Sequence, residues 1–429
     1  MSALETPAAA PSGCVGCVLR IAARNLLRYR RRTLLTTGLI AIGVLAVLLF
    51  VALAGSFRAM MVGQITDAML GHFQVHRKGY VASIDNLPLN LNMSAKMVER
   101  LNGSLSAIEG VEAVSPRLKF GAMFSNFAET TNIRIVAVDP AREVAVTPLL
   151  PGRLLEGKPA DGLVGPRGIL VPELLARGMK VKVGDEVVLV ATNRDGSVNG
   201  MTFQVQGILG SVTGPGGRDG YVRIEDARTL LRMTDAEVSE IAVRVGDASA
   251  AAAVAKTLAA GLDVIKNPQG KPVFEVHSWE QLTPFYNIAR MIDLMTLFIQ
   301  VMLVSIVLIS VMNVMMMAVY ERIREIGTIA AIGTQPNTIL GLFLSEGLLL
   351  GVAGAAAGTI VSLIVVAVLN VVKVSFKFGQ QENLVLAPAI GAGAVAWTAA
   401  VVIAVAVLAS LQPAWKAARM DPNAALRHV

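Results

Sequence analysis

Four stretches of this chain contain no Asp, Glu, Lys or Arg at all: Thr33–Phe57, Leu294–Tyr320, Gly347–Val372 and Asn383–Trp415, which run 25, 27, 26 and 33 residues. About 20 consecutive apolar residues carry a helix across a bilayer, so the pattern predicts four transmembrane helices. Only 16% of the 429 residues are charged, against roughly 25% in ordinary soluble domains. A soluble enzyme, a disordered chain, a collagen and a disulfide scaffold are excluded. The predicted fold class is an α-helical membrane protein with four transmembrane helices and a large α+β extracytoplasmic domain between helices 1 and 2. The predicted boundaries are a cytoplasmic tail at 1–17, an amphipathic interfacial helix at 18–32, spans at 33–57, 291–320, 338–372 and 388–412, and the domain at 58–290. A cytoplasmic coupling segment at 321–337, a short outer loop at 373–387 and a cytoplasmic tail at 413–429 complete the layout.

Charge sets the expected topology. Arg58–Asp293 holds 25 basic and 25 acidic residues, so the net +7 arises from the other 13 basic and 6 acidic ones. Six of those, Arg20, Arg24, Arg28, Arg30, Arg31 and Arg32, precede the first span. Basic flanks remain on the cytoplasmic side, which predicts both termini inside and the large domain outside. The other inner flanks contribute Arg322, Arg324, Lys416, Arg419 and Arg427, whereas the outer hairpin has only Lys373 and Lys377. In Val18–Arg32, Arg20, Arg24, Arg28 and Arg31 fall on one helical face. That spacing predicts a helix lying in the interface with its arginines toward anionic headgroups.

The outer segment mixes both periodicities. Gly71–Lys78 alternates as a strand, Met93–Ile108 is helical and Val111–Phe124 is extended. The order recurs with Val238–Val245, the Ala-rich Ala248–Gly261 and Leu262–His277. Two β-α-β units are thus predicted to flank a strand-rich middle, Thr131–Asp235, punctuated by Asn193–Gly200 and the Gly-rich Gly210–Gly220. The latter is a candidate mobile loop by composition. After His277, Ser278-Trp279-Glu280-Gln281 has the form of a capping box, and Trp279, Phe285 and Tyr286 suit an interface. An unbroken helix from there into the second span is predicted.

Chemistry-bearing constellations are sparse. Gly270-Lys271-Pro272 lacks the rest of a phosphate-binding G-x-x-x-x-G-K-S/T loop, and Gly214–Gly220 carries Asp219 where the dinucleotide fingerprint needs Gly. No nucleotide site is expected on this chain. His72 and His76 lie on a strand-like alternation with no third ligand, and Cys14 and Cys17 form a single C-x-x-C without a second pair, so neither reads as a metal site. No catalytic residues, metal or nucleic-acid partner are expected. The four spans hold no interior ionisable residue; Gln300 and Asn313 are polar only, which argues against ion-coupled transport. Met312, Met315, Met316 and Met317 read as filling or lipid-facing.

Gly347, Gly351, Gly354 and Gly358 line one face of the third span, a stripe that lets a second helix approach closely. Whether that helix belongs to this chain or to a second subunit is open from sequence. After the second span, Tyr320–Gly333 begins charged and continues as the apolar Ile326–Ile332. Apolar residues at a membrane edge without a core of their own point to a protein partner.

These residues resemble a known family. The string Glu321–Gly333 (ERIREIGTIAAIG) is similar to the segment after the second helix of FtsX-like and MacB-type ABC transporter permeases, among them the lipoprotein-releasing permease subunits. Leu19–Val44, the stretch around Glu346 and the tail Pro413–Arg427 resemble it too, as do Gly152–Leu155, Gly168–Val171 and Val183–Val187 in the outer domain. The resemblance implies a dimeric permease core, with a second copy or a sister permease. It also implies ATP and Mg bound on a separate ATPase dimer rather than here, docking at Glu321, Arg322, Arg324, Glu325, Ile326, Gly327, Ala331 and Gly333. Motion would pass up the helices to a substrate handled outside the membrane.

A periplasmic lipoprotein, adaptor or chaperone is then a further partner. The leading expectation is movement of a lipoprotein or other lipophilic substrate; a MacB-like exporter with an adaptor and outer channel, or a division-type module controlling cell-wall hydrolases, are the alternatives. An ion-driven carrier is the reading outside the family. Reversing Arg324 and Glu325, or Asp at Ile326, is expected to uncouple the ATPase while sparing the fold.

Overall fold

A computed structural model describes residues 15–158, 162–210, 219–373, 375–378 and 381–421. The readings made for Cys14, for most of Gly210–Gly220 and for the tail beyond Asp421 lie outside them, as do the side chains of Cys17 and Lys377. The chain divides into two compact units: Arg58–Met291 with Phe376–Leu384, and the remainder.

The first element is α1 (Val15–Arg28), followed by α2 (Arg30–Ile65). The predicted single helix over 18–32 is therefore broken at Tyr29, and Arg31 lies on α2 rather than on the face of Arg20, Arg24 and Arg28. The cause is local: the Thr33 hydroxyl donates to the Leu26 carbonyl at 2.8 Å and the Tyr29 carbonyl at 3.2 Å, a side chain inserted into the helical ladder. The α2 helix runs past the predicted span end and finishes in a π-turn, Thr66–Leu70.

The outer domain begins with β1 (Phe73–Arg77), α3 (Ala95–Ser106) and β2 (Val111–Ser125). The strand-rich middle follows as β3 (Thr130–Val138), α4 (Pro140–Val146), β4 (Leu154–Gly157), β5 (Gly168–Pro172), α5 (Glu173–Gly178), β6 (Glu186–Thr192), β7 (Val198–Leu209), β8 (Asp219–Arg223) and α6 (Ile224–Leu230). It closes with β9 (Glu240–Val245), α7 (Ala251–Leu262), β10 (Phe274–Ser278) and α8 (Trp279–Leu282). Both predicted β-α-β units form, and they interleave in the order β10-β1-β9-β2 with antiparallel neighbours, the split βαβ arrangement. The 15-residue β2 serves two structures. Its first half pairs with β9 and its second half with β3 and β6. From β3 the pairing passes through β8, β5, β7 and β6 back to β2. These six strands close on one another in a ring. The insert thus grows from the same sheet as its host.

One buried charge network, unannounced in the sequence, fastens the two halves. Arg117 on β2, 1% exposed, donates to Glu143 on α4 at 2.6 and 2.9 Å and to Glu240 on β9 at 3.2 Å. Lys119 adds a 2.8 Å ion pair to Glu240. Burial alone would push the Glu240 carboxyl up, but Lys119, His76 and Arg117 outweigh it and hold the group well below the usual carboxylate range.

The predicted unbroken helix after His277 does not form. Thr283, with φ −142° and ψ 141°, interrupts it after α8, because the residue before a proline, here Pro284, is pushed out of the helical region. Nor does the capping box close, since Ser278 makes no side-chain cap bond. The membrane helix α9 (Phe285–Glu321) starts beyond the break, then come α10 (Ile323–Ala331), α11 (Pro336–Val372), the hairpin strands β11 (Ser375–Phe378) and β12 (Gln381–Val385), and α12 (Ala392–Ala418). Helices α2, α9, α11 and α12 are long and apolar enough to cross a membrane. Because α11 begins at Pro336, Glu346 lies inside it, 1% exposed. The expectation of spans without an interior charge fails there: it follows from the charge-free run 347–372, whereas both the predicted span 338–372 and the helix itself extend past that run and include Glu346.

Candidate functional site at the α10 turn

The site is built where α9 ends. Arg322, φ −110° and ψ 15°, turns the chain between α9 and α10, and its guanidinium points inward, 6% exposed. It donates to Glu346 of α11 at 2.9 Å and to Glu325, one turn on, at 3.1 Å. Asn25 of α1 donates to the same Glu346 oxygen at 2.9 Å, and the Tyr29 hydroxyl donates to Glu325 at 3.2 Å. The guanidinium also lies 5.6 Å from the Tyr29 ring centre and 5.8 Å from that of Phe343. Burial costs Arg322 hydration and pulls its pKa down. Glu346 and Glu325 more than compensate, and the net shift is upward. At Glu325 the hydrogen bonds and charge of Arg322, with help from Tyr29 and Arg28, outweigh burial and lower the carboxyl. Arg322 thus joins α10 to α11 by its own hydrogen bonds, and α1 enters the cluster through Asn25, which shares Glu346; together these bonds set the attitude of α10.

Beside this cluster is a cavity of about 270 Å³ lined by Val18, Ile21, Ile326, Ile329, Ile339 and Phe343, among others. The predicted docking residues separate into two faces. Arg322, Ile326 and Gly327 are buried within the unit; Glu321, Arg324, Ala331 and Gly333 are exposed, and Glu325 lies between. Ile326, 4% exposed, belongs to the core that also contains Leu26, Ile339 and Phe343, so Asp there would test folding rather than docking. The apolar side chains α10 does present are Ile329 and Ile332, 39% and 81% exposed. Sequence reasoning named Arg322 and Glu325 but not their partners Glu346, Asn25 and Tyr29. The only available signal for Glu346 was an acidic residue beside an apolar run.

Of the arginines assigned to the membrane surface, Arg20, Arg24, Arg28 and Arg31 are all exposed. The opposite face of α1, Ala22 at 0% and Leu26 at 9% exposure, is buried inside the unit. The glycine stripe finds its partners within the chain. A Cβ at Gly347 would meet Ser410 Oγ of α12 at 2.5 Å, and one at Gly351 would meet the Ala406 Cβ at 2.9 Å. At Gly354 it would reach Ile40 of α2 at 2.5 Å, and at Gly358 the backbone oxygen of Ala41 at 2.6 Å. Helix α11 is therefore gripped by α12 over one part of the stripe and by α2 over the other.

Comparison with known proteins gives this architecture its family. Residues 33–260 match the MacB-like periplasmic core domain, and residues 297–422 match the FtsX-like permease C-terminal domain. Over 414 residues the chain is 23% identical to the lipoprotein-releasing system transmembrane protein LolC of Neisseria meningitidis serogroup B, covering 92% of this chain and 94% of that protein. The macrolide export ATP-binding/permease protein MacB 2 of Aeromonas hydrophila is 27% identical over 98% of this chain, which spans 63% of that protein. The pyoverdine export ATP-binding/permease protein PvdT of Pseudomonas syringae pv. tomato is 42% identical over 118 residues, 28% of this chain and 16% of that protein. Thus the chain spans less than two thirds of these two ATP-binding/permease relatives. Among solved structures, the periplasmic region of MacB from Actinobacillus actinomycetemcomitans aligns with 52% of this chain and 92% of its own, at 12% identity and a TM-score of 0.34. With one family domain across its first half and the companion permease domain across the remainder, the chain belongs to the FtsX-like, MacB-type family of ABC transporter permeases, and is a transporter subunit rather than an enzyme.

Proposed function

We propose that this permease subunit couples ATP hydrolysis on a separate ATPase to the handling of a lipophilic substrate, such as a lipoprotein, outside an inner membrane. Both termini and α10 lie on the cytoplasmic side in this reading, since the arginine-rich α1 obeys the positive-inside rule. A second permease copy or a sister permease completes the core. The observation that carries it is the α10 turn: Ile329 and Ile332 are presented outward while the Arg322–Glu346–Asn25 bonds hold the helix from behind. A rigid backing behind an exposed apolar face is what a part that receives force requires. Glu346, buried inside α11, is engaged in those bonds, which supports motion rather than ion flow as the coupling. Lipoprotein handling rests on the family likeness alone.

Purification from the native membrane in mild detergent tests this. Wild-type protein is expected to retain an ATPase bearing a Walker motif, and Ile332→Asp with Ile329→Asp to lose it while remaining folded. Full ATPase retention in the double variant would overturn the docking assignment. Wild-type protein isolated with no ATPase would overturn the coupling scheme.

A further inference from the structure

The outer domain joins the two membrane helices beside it in different ways, and the difference lies in the backbone. At the end of α2 the last carbonyls, which a helix terminus normally leaves unpaired, are bonded one after another. The Thr66 carbonyl accepts from the Gly71 amide at 2.8 Å, the Asp67 carbonyl from the Leu149 amide at 2.9 Å, and the Leu70 carbonyl from the Gln74 side chain at 2.8 Å. Arg153 donates to the Ala68 carbonyl at 3.3 Å and, with its other nitrogen, to Gly210 at 3.2 Å. Gly71, φ +76°, makes the turn into β1; a Cβ there would stand 3.0 Å from the Val243 carbonyl. The Asp67 side chain leaves the π-turn to meet Arg244 of β9 at 2.7 Å, and Arg244 reaches Glu112 of β2 at 3.2 Å. Asp67 also lies 3.8 Å from the buried His72. At α9, by contrast, the bonds across the Thr283–Pro284 break are local: the Phe285 amide to the Thr283 hydroxyl at 3.4 Å and the Asn287 amide to the Pro284 carbonyl at 3.1 Å.

We infer that the π-turned end of α2 is the drive joint of the domain, with Asp67 and Arg244 as its positioning pair, and that the Thr283–Pro284 junction is the compliant one. A π-turn re-aims side chains at the end of a regular helix, and here it directs the Asp67 carboxylate at the central strand β9. Displacement of α2 is passed directly to β9 and β2 by the Asp67–Arg244–Glu112 chain. The break before α9 absorbs rotation through the backbone dihedrals of Thr283. This assignment rests on the proposed transmission of motion and adds which helix carries it.

The test uses the complex isolated with its ATPase and placed in nanodiscs, with Cys14 and Cys17 replaced. Spin labels at two exposed sites, Asp263 in the outer domain and Arg419 after α12, report the distance change on adding ATP and vanadate. Arg244→Gln is expected to reduce that change about two- to five-fold, the factor by which a partly exposed ion pair biases an equilibrium. ATPase retention should remain at the wild-type level. The exchanged pair Asp67→Arg with Arg244→Asp should restore part of the change, which a defect in folding would not. Asp67→Asn, nearly isosteric, guards against unfolding in the first variant and should act in the same direction. A full wild-type distance change in both single variants would overturn the drive joint alone. No distance change in the wild-type complex would overturn the transmission scheme and the joint together.

Discussion

Removing either member of the Arg322–Glu346 pair does not cost the same. Arg322→Met leaves the Glu346 carboxylate, 1% exposed inside α11, with Asn25 as its remaining hydrogen-bond donor among the described residues. A buried charge stripped of its ionic partner costs about 3–5 kcal/mol. In Glu346→Met the guanidinium keeps Glu325 at 3.1 Å and the faces of Tyr29 and Phe343. Glu325 has 41% of its side chain exposed, so the surviving pair reaches water, and the cost falls to about 1–3 kcal/mol, that of one lost charged hydrogen bond. The double variant Arg322→Met with Glu346→Met removes both charges from a site of unchanged volume, and such replacements are often neutral within about 1 kcal/mol or stabilising. The expected order of stability is therefore wild type close to the double variant, then Glu346→Met, then Arg322→Met. Thermal unfolding of the full chain in nanodiscs ranks the four. Glu346→Met at or below Arg322→Met, or a double variant no better than the worse single one, would refute the reasoning that a buried carboxylate without its cation is what destabilises most. The double variant also separates stability from coupling: it should fold, yet lose ATP-driven activity because α10 is no longer held.

Gly358→Ala should destabilise the helix bundle by about 1–3 kcal/mol, since its new methyl meets the Ala41 backbone oxygen at 2.6 Å. Gly38→Ala, with nothing within 4 Å, is the neutral control; equal unfolding temperatures for both would refute the packing assignment. His72 is a second test of the α2 joint. Burial and, less strongly, Arg244 lower its pKa from 6.5 against the pull of Asp67 and Glu112. Its Nδ1 accepts from the Val245 amide at 3.0 Å, so the neutral form is the native one. The unfolded chain binds the proton first, so stability is unaffected above about pH 6.5 and falls below it by at most about 1.4 kcal/mol per pH unit until the folded group itself titrates. His277, also lowered by burial, contributes in the same direction. The protection factor of the Val245 amide, its exchange rate relative to the intrinsic rate at each pH, should fall on acidification in wild type but not in His72→Gln; identical pH dependence in both would sink this assignment.

What could be read from the sequence followed from how each signal is encoded. Charge-free runs are one-dimensional, so four spans could be found by counting, and period-two and period-3.6 alternation located β1, α3, β2, β9 and α7 within a few residues. The counting failed where a helix outlasts its apolar run, and it hid Glu346, whose charge is tolerated only because Arg322 and Asn25 converge on it from other helices. Partners 24 and 321 residues away in sequence leave no local trace. Similarly, no local pattern pairs Asp67 with Arg244; the π-turn and β9 bring them to 2.7 Å. The break at Thr283 differs: Pro284 announced it, and the prediction of a continuous helix gave the apolar periodicity more weight than the steric rule for residues preceding proline. The same rule favours an articulated entry to α9. Because α2 is bonded at its end and α9 is interrupted at its start, a displacement common to both helices need not translate the outer domain rigidly. The Asp67–Arg244 bond and the Thr283–Pro284 break are the two features on which the proposed drive joint and compliant junction rest.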